Sequence, residues 1–151
     1  MRNHPISFED WQSYPATLDP IHIAWLKNAK KSSTAFAVAD IEGVEISHKK
    51  FLTGVLLFSK KIATYSPEKN VGLLLPSSGG GAIASMAILA LGKTIVNFNF
   101  TAGKKALKSA AEQAEVKHIY TSRKFLDKMA ERGMNLESFF PNSKLLMLED
   151  I

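Results

Sequence analysis

Three short stretches hold the residue types that can do chemistry. Asn97-Phe98-Asn99-Phe100-Thr101-Ala102-Gly103 sets two side-chain amides and a hydroxyl at alternate positions. Asn97, Asn99 and Thr101 can hydrogen-bond a substrate carbonyl, or can cap a helix and fix a turn, for which Asn, Thr and Gly are the usual choices. Gly79-Gly80-Gly81-Ala82-Ile83-Ala84 matches the spacing of a dinucleotide fingerprint, in which glycines let backbone approach a pyrophosphate. Pro76, Ser77 and Ser78 intervene before those glycines, and Asn97, Phe98 and Asn99 stand where an acid for the ribose hydroxyls is expected. Turn formation and close packing are the better account of the glycines. No Gly-Lys-Ser/Thr follows, which excludes a Walker loop. The third stretch, Tyr120-Thr121-Ser122-Arg123, offers hydroxyls that can cap a following helix.

The other candidates are weaker. His4, His22, His48 and His118 fall on separate elements with no i,i+4 pairing and no carboxylate at metal-ligand spacing, so no metal site and no catalytic residue is assigned. Ser47-His48-Lys49-Lys50 has the Ser-x-x-Lys spacing without its companion motifs, and Ser47 reads better as a helix cap. Lys104, Lys105 and Lys108 make a basic patch with no aromatic platform beside it, which argues against nucleic acid. Those lysines are a solvated face, or a surface for an acidic protein.

These residues have to be positioned by an alternating pattern of elements. Asp19-Pro20 resembles an N-cap followed by a first-turn proline, opening a helix through Ile21, Ala24, Trp25 and Ala29. Thr34 to Asp40 and Val44 to Ile46 read as a hairpin. From Ser47 to Tyr65 an amphipathic helix buries Phe51, Val55, Phe58 and Ile62 and leaves Lys49, Lys50, Lys60 and Lys61 to solvent. Strands are then expected to start near Val71, Thr94, Lys117 and Lys144, at near-even spacing, with helices over 80–91, 102–114 and 122–132. Gly133 sits where a left-handed C-terminal residue is favoured. Strand, crossover helix and strand in succession build a parallel sheet, so the expected class is α/β, mainly parallel with crossover helices. The helix over 80–91 is apolar nearly all round. It needs cover on more than one side, from deep burial in this chain or from neighbours outside it.

Length and composition agree with one α/β unit over 1–151, which begins with an irregular lead-in over 1–20 that carries Pro5, Pro15 and Pro20. Hydrophobic residues make up 46% and charged residues 22%, too apolar for a disordered chain. A net charge of +5 favours anionic partners or simply marks a solvated basic surface. No cysteine is present, so disulfide, thiolate and Cys-zinc chemistry are excluded. The first residues lack an apolar signal core, and Ala82 to Leu91 is too short to cross a bilayer.

Several stretches match an established pattern in order. Glu45 to Leu52, Asn70 to Ser78 and Ala90 to Asn99 resemble the early core of the adenylate-forming (AMP-binding) superfamily. The runs Asn99 to Gly103, Tyr120 to Lys128 and Leu148-Glu149-Asp150 are similar to acyl-acyl carrier protein synthetases. The likeness is closest to the synthetase module fused to a 2-acylglycerophosphoethanolamine acyltransferase. It implies the N-terminal subdomain of an enzyme that joins a fatty acid to ATP with Mg2+, then passes the acyl group to the phosphopantetheine thiol of an acyl carrier protein. Asn97, Asn99 and Thr101 then become weak candidates for contact with substrate or the phosphopantetheine arm. The family places its phosphate loop, ribose-binding aspartate and mobile lysine downstream of the matched region. Tyr120-Thr121-Ser122-Arg123 only imitates the start of that loop, since Arg123 replaces the first glycine. The resemblance therefore implies a scaffold that is inactive alone, with no cofactor bound to it, and a parent in the cytoplasm or at the cytoplasmic face of the inner membrane. The His-x4-Asp signature of glycerolipid acyltransferases is absent; His4 has Glu9 at that place. Two other classes compete: a self-contained nucleotide- or flavin-binding α/β module, and a protein-interaction domain built on the basic face and the apolar helix.

Overall fold

The computed structural model describes residues 19–40 and 43–150. Apart from Asp19 and Pro20, the expected lead-in lies outside them. Helix α1 (Ile21–Ala29) is followed by the hairpin β1 (Phe36–Ala39) and β2 (Glu45–Ser47) and by the long helix α2 (His48–Tyr65). Then strand and helix alternate: β3 (Asn70–Leu73), α3 (Gly79–Ala90), β4 (Thr94–Asn97), α4 (Lys104–Gln113), β5 (His118–Thr121), α5 (Arg123–Ala130) and β6 (Lys144–Met147). Single 3-10 turns, Leu136–Phe139 and Leu148–Asp150, flank β6.

Strands β3 to β6 form a four-stranded sheet in the order β4-β3-β5-β6, every pair parallel. The chain leaves β3 in one direction for β4, then doubles back past β3 to β5 and on to β6. That reversal puts the following helices on opposite faces. On one face Phe51, Val55, Phe58 and Ile62 of α2 and Ala84, Ala87 and Ile88 of α3 pack on Val71, Leu73 and Tyr120. On the other, Leu107 and Ala111 of α4 and Phe125, Leu126 and Met129 of α5 pack with Leu74, Phe98 and Ile119. Neighbouring residues Ile119 and Tyr120 thus serve opposite cores, as the period-2 alternation of a strand requires.

The amphipathic reading of α2 holds residue for residue: its four expected core positions are the four buried ones. Ser47 caps it by accepting from the Lys50 backbone N–H at 3.4 Å. Helix α3 packs against both the sheet and α2, which buries Ala84, Ala87 and Ile88, while Ile83, Met86 and Leu89 stay only half-buried. Gly133 has φ +80°, the left-handed conformation expected of it. One cap differs. Asp19 does not cap α1; it pairs instead with the Lys27 ammonium at 2.6 Å, and Pro20 precedes the first helical residue.

Gly72 lets the sheet and its second core meet. A Cβ there would lie 2.7 Å from Ile119 Cγ1, 2.8 Å from Phe98 Cε2 and 3.0 Å from Val116 Cγ1. Across the sheet, the Tyr120 hydroxyl and Ser66 Oγ share a fully buried hydrogen bond of 2.9 Å. Thr121 Oγ1 donates to the Leu74 carbonyl at 2.7 Å, tying the ends of β3 and β5 together.

Candidate functional site

In an open parallel sheet the place where successive connections part to opposite faces leaves a crevice beyond the strands' carboxyl ends. Here that place lies between β3 and β5, and a crevice of about 440 Å³ opens there. Such a volume suits a small molecule. Its apolar lining is Leu75 and Pro76 after β3, Phe100 after β4, Phe125 and Met129 of α5, and Leu148 after β6. Phe100 and Phe125 meet edge to face with centroids 5.1 Å apart. Its charged rim is Lys124, Lys128 and Arg132, spaced four residues apart along α5 and just past its end, together with Asp40 and Glu149.

Both acids in this rim hold backbone. Asp40, at the end of β1, accepts from the Gly79 N–H through Oδ2 and from the Val44 N–H through Oδ1, each at 3.2 Å. Glu149 Oε1 accepts from the Arg123 N–H at 3.0 Å, and Arg123 itself pairs with Asp150. Serines complete the caps: Ser78 Oγ takes the Gly81 N–H and Ser122 Oγ the Phe125 N–H, both at 3.1 Å. The helix starts facing the crevice, α3 and α5, therefore already carry oxygen acceptors from the protein itself. A free helix start attracts phosphate because its N–H groups lack partners; here two N–H groups of each start, Gly79 and Gly81 in α3 and Arg123 and Phe125 in α5, have been given partners.

This arrangement explains Gly79-Gly80-Gly81. A Cβ on Gly79 would approach Ile46 Cδ1 of the hairpin to 2.8 Å, and a Cβ on Gly81 would reach the Pro76 carbonyl oxygen to 3.1 Å. The glycines let the hairpin close over the start of α3. Of the two hydroxyls offered as caps for α5, Ser122 is the cap, while Thr121 is buried in the bond to β3.

The turn after β4 is organised by its own polar groups. Asn99 Oδ1 accepts from the Thr101 N–H at 3.0 Å and from the Thr101 hydroxyl at 2.8 Å. Asn97 ends β4 while Asn99 and Thr101 sit in this turn; all three are exposed and none lines the crevice. Phe100, between the two hydrogen-bonded residues, does. The lining residues that the sequence reading did not single out include Asp40, Phe100, Lys124, Lys128 and Arg132. The i,i+4,i+8 spacing of Lys124, Lys128 and Arg132 was the available signal.

At the opposite, amino end of the sheet His118 Nδ1 and Glu68 Oε1 lie 2.8 Å apart and half-buried, as a strand-start pair outside the crevice. His48 is tied up differently: its Nδ1 accepts from the Trp25 indole N–H at 3.2 Å. Among the described residues no cluster of acids and histidines could hold a metal ion, and no helix is long and apolar enough to cross a membrane.

No family model matches the chain. Its structure, however, is similar to several solved ones. A nonribosomal peptide synthetase, FmoA3, bound to α-methyl-L-serine-AMP, superimposes with a TM-score of 0.73 at 14% identity over 90% of this chain and 15% of that one. The N-terminal subdomain of NpsA from Klebsiella oxytoca, in complex with 3-hydroxyanthranilyl-AMSN, gives 0.73 at 10% identity over 91% and 33%. VinN with 3-methylaspartate gives 0.72 at 12% identity over 87% and 35%. The chain thus spans about a third or less of the length of the proteins it resembles. At these identities the likeness concerns the backbone: the order β4-β3-β5-β6 with helices on both faces is the fold that the chain shares with part of these proteins, the NpsA N-terminal subdomain among them.

Proposed function

We propose that the chain is the N-terminal scaffold portion of an adenylate-forming enzyme, and that the parent is a fatty acid:acyl carrier protein ligase. The observation that carries the general reading is the parallel sheet with its crevice at the reversal point, superimposing over 90% of the chain on an enzyme bound to an aminoacyl-AMP. The finer assignment rests on the sequence likeness of Asn99 to Gly103, Tyr120 to Lys128 and Leu148 to Asp150 to acyl carrier protein synthetases. In that reading the parent uses ATP with Mg2+, and Asn97, Asn99 and Thr101 are the candidate substrate contacts.

The division of labour follows from the caps. Adenylation needs fixed donors and cations that neutralise the triphosphate as pyrophosphate leaves. Asp40, Ser78, Glu149 and Ser122 occupy two N–H groups at each of the two helix starts facing this crevice, which favours phosphate binding by other parts of the parent. The same caps count against a self-contained nucleotide- or flavin-binding module.

The test pairs two preparations. The parent enzyme, given fatty acid, ATP, Mg2+ and acyl carrier protein, is expected to release AMP and form the acyl thioester on the carrier. The 151-residue chain is expected to show no ATP–pyrophosphate exchange. Exchange by this chain would overturn the scaffold reading; a parent that makes an acyl-CoA but no carrier thioester would overturn the finer one.

A further inference from the structure

The outer face of α2 sets lysine and leucine in a pattern that the core does not use. The helix carries four lysines and no acid, and α3, which packs beside it on the same side of the sheet, carries no charge at all. At 3.6 residues per turn two ridges run along the outer side: Lys49, Leu56 and Lys60 on one, Lys50, Leu57 and Lys61 on the other. Leu56 and Leu57 are 57% and 62% exposed, while Phe51, Val55, Phe58 and Ile62 on the far side are buried. Gly54 lets Ile83 of α3 rise beside Leu57; a Cβ there would stand 2.9 Å from Ile83 Cδ1. A groove shared by Gly54, Leu57, Ile83 and Leu148 extends the apolar surface, and Lys60 and Lys61 also line it.

The fold does not balance these charges. None of the four lysines forms an ion pair among the described residues. Of the acids around them, Glu45 shares a shallow pocket with Lys50, Glu68 beyond the end of α2 is paired with His118, and Glu149 and Asp150 both engage Arg123. Lys49 and Lys50 stand in the first turn of α2, where the helix dipole disfavours cations and no acid offsets them.

We propose that this face rests on an anionic lipid surface, with Leu56 and Leu57 entering the headgroup boundary and the two lysine pairs, about 16 Å apart along the helix, meeting headgroup phosphates. Lysines at both ends of an exposed apolar centre let a helix lie flat on such a surface. The inference goes beyond the adenylate-forming reading. It concerns a helix that does not line the crevice and requires neither ATP nor a carrier protein, so either reading can fail without the other.

Cosedimentation of the 151-residue chain with vesicles tests it, using phosphatidylcholine alone and phosphatidylcholine with about a third phosphatidylglycerol, at low and at high salt. Saturable binding to the anionic vesicles is expected, weakened by salt. Lys60→Gln/Lys61→Gln should weaken it about thirtyfold and Leu56→Ser/Leu57→Ser about tenfold. Lys104→Gln/Lys105→Gln removes the same charge from α4 on the opposite face of the sheet and should change nothing. The dispersion of each variant's amide spectrum checks that it folds. Equal binding to neutral vesicles, equal losses from the α2 and α4 lysine variants, indifference to the leucine variant, or absence of binding would each overturn the proposal. So would binding of polyglutamate to this face as tightly as vesicles, which would assign it to an acidic protein, or a dimer that Leu56→Ser/Leu57→Ser dissociates, which would assign it to a second copy.

Discussion

Tyr120→Phe tests whether the bond between Tyr120 and Ser66 is a coupled pair. Both residues are 0% exposed, and the bond spans the 54 residues between α2's exit and β5. Removing the phenol oxygen leaves Ser66 Oγ buried with no replacement from water, a loss of about 1–3 kcal/mol. Ser66→Ala leaves the phenol hydroxyl stranded at a similar cost. The double variant strands neither group, so it should sit within about 1 kcal/mol of the parent rather than at the sum of the two losses. For a chain of this size, 2 kcal/mol corresponds to a melting point lower by about 4–8 °C. Urea unfolding of the four proteins, followed by far-ultraviolet circular dichroism, closes the cycle. Additive losses would show that the pair is uncoupled and would refute the buried-bond argument. There is also a pH signature. Burial pushes the Tyr120 hydroxyl above its ordinary value of 10.0; the Ser66 bond opposes this and the Glu68 charge adds to it. A group with a raised folded-state value contributes stability that is present below the unfolded value and lost as pH climbs past it. The parent should therefore lose stability above about pH 10, and Tyr120→Phe should lose it less steeply.

Gly72→Ala forces a methyl into three side chains at 3.0 Å or less, and should destabilise by about 1–3 kcal/mol in urea titrations. Asp40→Ala strips the acceptor from the Gly79 and Val44 N–H groups; a loss of about 1 kcal/mol is expected, with faster amide exchange at Gly79 than at Phe125, whose cap is untouched. Thr121→Val keeps the shape but leaves the Leu74 carbonyl without its side-chain donor, and should cost about 1–2 kcal/mol in the same assay.

The elements were legible in the sequence wherever a period was long. Phe51, Val55, Phe58 and Ile62 mark the buried face of α2, and the spacing of the apolar runs marks four parallel strands, because both patterns come from local geometry. Strand order was not legible. Nothing near Thr94 or His118 states that β3 will sit between β4 and β5, since that depends on which faces the crossover helices can cover. The caps were half legible: Ser47 and Ser122 precede their helices directly, whereas Asp40 reaches Gly79 from 39 residues away. The crevice was the hardest to see. Its lining comes from the ends of β3, β4 and β6 and from α5, and Phe100 was hidden between two polar neighbours that drew attention as ligands.

The bond from Thr121 to Leu74 fastens two strands whose neighbouring residues feed different hydrophobic layers. Leu75 and Leu148 pack with the layer beneath α2 and α3; Phe100, Phe125 and Met129 belong to the layer beneath α4 and α5. A molecule seated among them would touch both layers at once and so resist their parting. Occupancy would then merge their opening into one event, visible as matched slowing of amide exchange on both sides of the sheet.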